Sequence, residues 1–408
     1  MKKLFFIVID GMPDFGKDTP LSLANKPNID FLAKNGKCGL LANFTKKESE
    51  KELAINGTNW GTAVLLGLPF DKNNLKRGSV EALGVGRELK EDEIAIRCNY
   101  AYLDKNGKIN RRAGRNELGL KELSKEINKK IKLSSEFEFI YTTGHRILLI
   151  LRHKKINDKI TDTDPLFNDK KAIKCRALLS SAKVTADLVN EFVEKSNKLL
   201  ENHSLNKKRE RKGILPANLI LTRGAGRKIK KIFNYNLKYK RKFAFIAPMP
   251  AERGICYIAG MKNLWEEMPS GNPKKDSLTC IKILKQNINK YDCFFVFLKG
   301  PDPFGHDGDF EGKREIIEWI DKNFFEKLLK ITDLDNSIYA LASDHATPCR
   351  LKRHSNHPIP FFIFGKGLKS KNAVKFSEEG CKKGFFGLMP GKKLFKKIMD
   401  LVLSDARN

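Results

Sequence analysis

Short apolar runs that stop abruptly at an acidic or histidine-bearing cluster recur along this chain. Residues 4–9 form one such run and end at Asp10-Gly11. Residues 294–298 form a second, followed by Lys299-Gly-Pro-Asp302-Pro-Phe-Gly-His306-Asp-Gly-Asp309, and residues 338–342 a third, followed by Ser343-Asp344-His345. Uninterrupted apolar runs of this length, bounded by turn residues, predict fully buried β-strands. Residues 243–247 and 360–364 read as further strands, with His354 in the loop before the last. The cluster after residue 298 reads as a Gly/Pro-rich loop.

Helical spacing fills the intervals. Residues 20–33 carry it, with Pro27 suited to a first turn and Gly36 beyond the end. Residues 60–66 predict a helix opening on a turn at 56–59, and residues 311–329 one with Ile316, Ile317, Ile320, Phe324 and Leu328 on a single face. From about 75 to 240 the character changes. Arginine and lysine become dense, and the predicted strands shorten (94–97, 137–141, 147–151). Residues 180–203 form an amphipathic helix, and the charge run 207–212 reads as a solvated loop. Acid-bearing strand ends lie on both sides of this region. The chain is therefore expected to be α/β, a mostly parallel sheet flanked by helices over residues 1–74 and 241–408, interrupted by an inserted α+β domain over 75–240.

Composition narrows the class. The 408 residues suffice for a large core, and 41% hydrophobic with 31% charged content is globular. The opening apolar run is too short for a signal core or a membrane span, and no other run approaches spanning length, so a cytoplasmic protein is expected. Eight cysteines without a Cys-x-x-Cys pair predict reduced, buried thiols. The formal charge of +30 would steer a small anionic substrate. It does not by itself indicate a nucleic-acid partner, because no basic stripe interleaved with aromatics accompanies it. No pattern speaks to oligomeric state.

If the acid-bearing strands are parallel neighbours, Asp10, Asp302, His306, Asp344, His345 and His354 converge on one edge of the sheet, where open α/β folds bind ligands. Taken singly, an Asp after a strand caps a helix and a loop His does nothing. Together, carboxylates and imidazoles are ligands suited to two divalent metals. Thr58, at the expected helix start, either meets a phosphate or caps the helix, and spacing alone does not choose. Within the 75–240 region Arg97, Arg111, Arg112, Arg115, His145, Arg146 and Arg223 are candidates for binding carboxylate or phosphate oxygens, with Asp162 and Asp164 beside them.

These motifs, in this order, resemble the archaeal-type cofactor-independent phosphoglycerate mutases of the alkaline phosphatase superfamily. The likeness covers nearly the whole chain. It includes Thr19-Pro20-Leu21 and Pro27-Asn28-Ile29-Asp30, then Arg77-Gly-Ser-Val-Glu-Ala-Leu-Gly-Val-Gly86, Arg111-Arg-Ala-Gly-Arg115 and Thr143-Gly-His-Arg146. It continues through Thr161-Asp-Thr-Asp-Pro165, Arg223-Gly-Ala-Gly226 and Asp344-His-Ala-Thr-Pro-Cys349, beside the strand-end motifs already described.

The resemblance implies an alkaline-phosphatase-like fold and interconversion of 3- and 2-phosphoglycerate through a phosphorylated hydroxyl, without 2,3-bisphosphoglycerate. It implies one metal on Asp302, His306 and His354 and another on Asp10, Asp344 and His345, with Thr58 as nucleophile beside them. The metals would be manganese, magnesium, cobalt or zinc. The inserted domain would hold the glycerate, with Asp162 or Asp164 handling its hydroxyl proton. One departure stands out: the family's Gly-Ser-Asp-Thr-Ala-His is here Gly57-Thr58-Asn59-Trp60-Gly61-Thr62. Threonine keeps the attacking oxygen. The exchange leaves a metal-dependent phosphatase or phosphodiesterase, or a non-catalytic relative, as the alternatives.

Overall fold

A computed structural model describes residues 2–45, 50–69, 75–166, 168–229, 233–368 and 374–404. The chain separates into two compact units, residues 1–70 with 231–408, and residues 71–230. The boundary expected at 240 falls nearer 230. The Tyr235–Tyr239 helix belongs to the first unit because Tyr235 stacks on Phe395 at 4.9 Å and meets Phe243 edge-on at 5.7 Å.

The first unit is built on an eight-stranded mixed sheet. Four strands at its centre, Ser337–Ala342, Lys3–Ile9, Cys293–Leu298 and Phe243–Ile246, run parallel in that order. Their side chains are almost all buried, as expected where helices cover both faces. Alternate residues Phe5, Ile7 and Ile9, Phe294, Val296 and Leu298, and Tyr339 and Leu341 share one core with Ile316, Ile317, Ile320, Phe324 and Leu328. Ile359–Gly365 runs antiparallel to Ser337–Ala342, with Leu341 opposite Phe362. It therefore begins at the rim where its parallel neighbours end.

Two helical expectations change in detail. The 20–33 pattern is two helices, Pro20–Leu23 and Pro27–Lys34, because Pro27 disfavours helix at the residue before it. The 311–329 pattern is a helix Phe310–Ile320 that passes through a π turn, Asp321–Phe325, into Glu326–Ile331. The turn aims Asp321 at the start of the Pro27–Lys34 helix, where its carboxylate accepts from Ile29 N at 2.7 Å and Asn28 Nδ2 at 2.8 Å.

The second unit is an antiparallel sheet in which Glu93–Leu103 pairs with both Arg146–Arg152 and Leu219–Arg227, and Glu136–Thr143 pairs with Arg146–Arg152. Helices Leu120–Lys130 and Lys183–Glu201 supply Leu123, Ile127, Val189 and Phe192 to one face of the core, against Ile94, Ile96 and Cys98. The opposite register, Ala95, packs with Ala82 of helix Arg77–Gly84. The charge run expected as a loop is mostly helix, Ser204–Arg211, because Arg209 points inward and donates to the carbonyls of Asn116 at 3.0 Å and Leu118 at 2.7 Å. All eight cysteines are buried and free. Among the described residues, no helix is long and apolar enough to cross a membrane.

Candidate active site

The parallel register delivers the acids to one level. Val8 faces Ala342 and Ile9 faces Leu298, so Asp10, Lys299 and Ser343 leave the sheet side by side. The Asp10 amide donates to the Leu298 carbonyl at 2.9 Å, and the Ser343 hydroxyl donates to the Ile9 carbonyl. The cluster after residue 298 is not a loop. Pro301–Asp307 is a short helix, since prolines are tolerated in a first turn whose N–H groups have no intrahelical partner. Helical spacing then places Asp302 and His306 on the same face.

Two groups of ligating atoms result, Asp302, His306 and His354 in one and Asp10, Asp344 and His345 in the other, with the atoms of each group within 4.8 Å of one another. His345 Nε2 lies 3.4 Å from Asp10 Oδ1 and 3.1 Å from Asp344 Oδ2. Neither of those buried oxygens has a hydrogen-bond partner. His354 Nε2 is 3.5 Å from Asp302 Oδ1, and His306 Nε2 is 3.6 Å from Asp302 Oδ2. The groups adjoin, for the His345 and His354 rings stack at 3.7 Å.

The imidazoles are already oriented as ligands. His354 Nδ1 lies 3.0 Å from the Leu53 carbonyl and His306 Nδ1 lies 3.1 Å from the Lys352 carbonyl. A carbonyl only accepts, so each Nδ1 carries a proton, and Nε2 is the ring atom turned towards Asp302. Charges conform to the same reading. Burial, reinforced by the Asp10 carboxylate, pushes the Asp344 carboxyl well above its usual range. Burial also pushes the His345 imidazole down, towards its neutral form, against the pull of Asp10. Burial opposes ionisation of Asp302 too, but His306 and His354 outweigh it and hold that carboxyl well below its ordinary value. Buried carboxylate oxygens without donors, on Asp10 and Asp344, facing the neutral His345 ring, fit a divalent cation of the oxygen- and nitrogen-preferring kind.

Thr58 is buried, and its Oγ1 lies 3.5 Å from His345 Nε2. It does not open a helix. The helix runs Glu50–Leu65, so Thr58 lies in its interior and neither caps it nor offers free amides to an anion. Gly57, which read as a turn residue, and Gly61, inside the expected helix, are points of close approach. A Cβ on Gly61 would stand 2.2 Å from the Asp344 carbonyl oxygen, and one on Gly57 would stand 2.7 Å from His354 Nδ1. Asn59 and Thr62 are fully buried, with no hydrogen-bond partner for either Asn59 amide atom or for Thr62 Oγ1.

The second unit gathers a basic set of its own. Glu81 takes Arg77 Nε at 2.5 Å and also bonds Arg97 Nη1, both on Oε1. Burial raises the Glu81 carboxyl, but Arg97 and Arg77 outweigh it and hold it at about 2. Asp164 takes Arg111 Nη2 at 3.0 Å, with Arg223 Nη1 4.0 Å away. Burial, with Arg77 and Arg111, brings the Arg223 guanidinium down to about 10 despite Asp164. Burial and then Arg146, Arg97, Arg223 and Arg111 push His145 well below its usual range, which leaves it neutral. Asp162 accepts from Gly224 N at 2.8 Å. Arg115 ends the 3-10 turn Arg111–Arg115 in an exposed position, outside this buried set. The Arg112 side chain lies outside the described residues. Crowded guanidiniums, only partly offset by carboxylates, are built to receive an anion.

Several participants escaped the sequence reading. Lys299 Nζ bridges Asp10 Oδ2 and Glu252 Oε1, the latter at 2.9 Å. Burial disfavours its charge, but Asp10 and Glu252 outweigh that and raise it above its ordinary value. Lys299 stood inside the quoted motif, yet one lysine in so basic a chain carries no signal. Glu81 and Arg77 stood inside a family motif without an assigned role.

A family model for 2,3-bisphosphoglycerate-independent phosphoglycerate mutase matches residues 33–206. The 2,3-bisphosphoglycerate-independent phosphoglycerate mutase 1 of Archaeoglobus fulgidus is 34% identical over 411 residues, 98% of this chain and 98% of its own. That of Methanocaldococcus jannaschii is 34% identical over 410 residues, 98% of this chain and 97% of its own. The solved structure of a Pyrococcus horikoshii protein aligns with a TM-score of 0.78 at 25% identity, covering 98% of this chain and 97% of that one. The cofactor-independent phosphoglycerate mutase of Thermoplasma acidophilum aligns with a TM-score of 0.60 at 26% identity, covering 98% and 100%. Likeness over the full length, joined to a site whose ligating atoms already face one another, identifies this chain as an enzyme of the 2,3-bisphosphoglycerate-independent phosphoglycerate mutase family.

Proposed function

We propose that the protein interconverts 3-phosphoglycerate and 2-phosphoglycerate by lodging the phosphoryl group on Thr58 Oγ1, as a cytoplasmic step that needs no bisphosphoglycerate. The observation that carries the reading is the position of Thr58 Oγ1, 3.5 Å from a ring nitrogen that also faces two unpaired carboxylate oxygens. Asp302, His306 and His354 would hold one divalent cation and Asp10, Asp344 and His345 the other. Bound there, ions of the manganese, magnesium, cobalt or zinc class would offset charge on the transferring group and favour the ionised alcohol.

Thr58 Oγ1 forms the new P–O bond as the bond to the glycerate oxygen breaks, and its proton ends on the freed glycerate hydroxyl. The second glycerate hydroxyl then takes the phosphoryl group back and returns a proton to Thr58. The helix interior restricts Thr58 to few rotamers, as for any β-branched side chain, and the one adopted brings Oγ1 to His345. Arg97, Arg111, Arg146 and Arg223 of the second unit, with neutral His145, would hold the carboxylate and phosphate oxygens, and Arg112 and Arg115 would add charge. Asp164, bonded to Arg111, orients that arginine. Asp162 is assigned the glycerate hydroxyl proton. Keeping water from the phosphorylated threonine is what separates a mutase from a phosphatase.

An assay from 3-phosphoglycerate coupled to enolase tests this. Formation of 2-phosphoglycerate, with phosphate found on Thr58 by mass spectrometry, is expected. Thr58→Val should lower turnover by at least about 1000-fold, whereas Thr58→Ser should remain active. Release of inorganic phosphate without 2-phosphoglycerate would establish the phosphatase alternative. Inactivity of the metal-loaded protein would establish a non-catalytic relative.

A further inference from the structure

We propose that Thr347 is a positioning residue that couples the two cation clusters through one hydroxyl group, an inference that rests on the metal reading above. Thr347 Oγ1 donates to Asp302 Oδ1 at 2.6 Å. The same oxygen lies 3.1 Å from His345 Nδ1. A hydroxyl has a single proton to give and lone pairs to offer, so a group committed to Asp302 accepts from the ring. His345 is thereby held with its proton on Nδ1 and its lone pair on Nε2, the atom that faces Asp10 and Asp344. One side chain thus orients a carboxylate of one cluster and fixes the tautomer of an imidazole in the other.

The surroundings hold the bridge rigid. Thr347 is fully buried. Its amide donates to the Pro13 carbonyl at 3.2 Å, and its carbonyl accepts from Lys313 Nζ at 2.8 Å. Lys313, itself fully buried, also donates to the Pro13 carbonyl at 3.1 Å, which ties the segment after Asp10 to the segment after His345. Space for the hydroxyl depends on Gly11, whose missing Cβ would fall 2.6 Å from Thr347 Oγ1 and 2.7 Å from Asp302 Oδ1. A threonine serving only to pack would tolerate an isosteric valine; one serving as a bridge would not.

Cobalt(II) titration of the metal-free full-length protein, followed by calorimetry and by visible absorption, tests the proposal on wild type, Thr347→Val and Thr347→Ser. Wild type should bind two ions. The valine variant should bind both about 10- to 100-fold more weakly, with an altered ligand-field spectrum, and the serine variant should remain close to wild type. Unchanged affinities in the valine variant, weakening at one site alone, or equal weakening by serine would overturn the bridge. Wild type that fails to take up two ions would overturn the metal reading instead. Should the valine variant not fold, Thr347→Ala set against Thr347→Ser makes the same comparison.

Discussion

An ammonium lies between two carboxylates at the base of the candidate site, and its role is separable from that of the ligands. Lys299 takes Asp10 Oδ2 and Glu252 Oε1, which leaves Asp10 Oδ1 facing His345. It therefore offsets the charge on Asp10 without occupying the oxygen turned towards His345. Thr58, Thr347 and Lys299 make a graded set: the oxygen proposed to react, the hydroxyl proposed to aim two ligands, and the ammonium that offsets the charge on Asp10. In urea unfolding with chelator present, Lys299→Met should cost about 3 kcal/mol, because two buried carboxylates lose their partner. The cost should shrink when manganese is saturating, since a bound cation then compensates Asp10. An equal cost in both conditions would show that Lys299 and the cation do not share Asp10. Sequence displayed the candidate ligands because all but His354 closely follow an apolar run. It hid Glu252 and Thr347, whose importance lies in partners far away along the chain, Glu252 beside Lys299 and Thr347 beside Asp302.

Among the elements, the helix Glu50–Leu65 and the short helix Pro301–Asp307 explain where local reading failed. Both carry residues that punctuate turns in isolation. In the first, glycines serve as clearance for the Asp344 backbone and the His354 ring; in the second, prolines occupy a first turn that has no use for their N–H groups. Local propensity was overridden by packing in one case and by position within the helix in the other. Gly61→Ala should therefore do what an alanine inside a helix seldom does. The added methyl meets backbone rather than a flexible side chain, so the helix must shift from Asp344. Stability should fall by about 1–3 kcal/mol, read as a lower melting temperature. Binding at the Asp10, Asp344 and His345 cluster should weaken with it. Retention of full cation affinity would show that helix and cluster move independently. The central parallel strands, by contrast, were readable almost to the residue, because a strand buried on both faces leaves an unbroken apolar signature. Lys37–Ala42 and Leu219–Arg227, broken by glycine and polar residues, were not read, and Glu93–Leu103 outruns the expected 94–97.

For the molecule as a whole, each of the two units has its own core, and their chemistries divide as their sequences do. The metal-type donors lie in the first and the guanidiniums in the second. In the second unit Glu81 is the charge on which Arg77 and Arg97 are assembled. Its carboxyl is held at about 2 in the folded chain against an ordinary value near 4.5. The stability it contributes is thus complete above about pH 4.5 and is lost as pH falls towards 2. Urea midpoints measured between pH 6 and 3 should fall steeply for wild type. Glu81→Gln should start lower and show a flatter profile; an equally steep one would assign the acid sensitivity elsewhere. The expected division of the chain missed the Tyr235–Tyr239 helix because its attachment is made by Phe395, a contact no local pattern can announce. The placing of the Lys3–Ile9 strand has one more outcome. Both of its hydrogen-bonding edges are taken by strands from the last third of the chain, Cys293–Leu298 and Ser337–Ala342. That segment leaves the ribosome long before either partner, so its pairing stays incomplete until residues 293–342 have followed it, and the birthplace of the site is also its late closure.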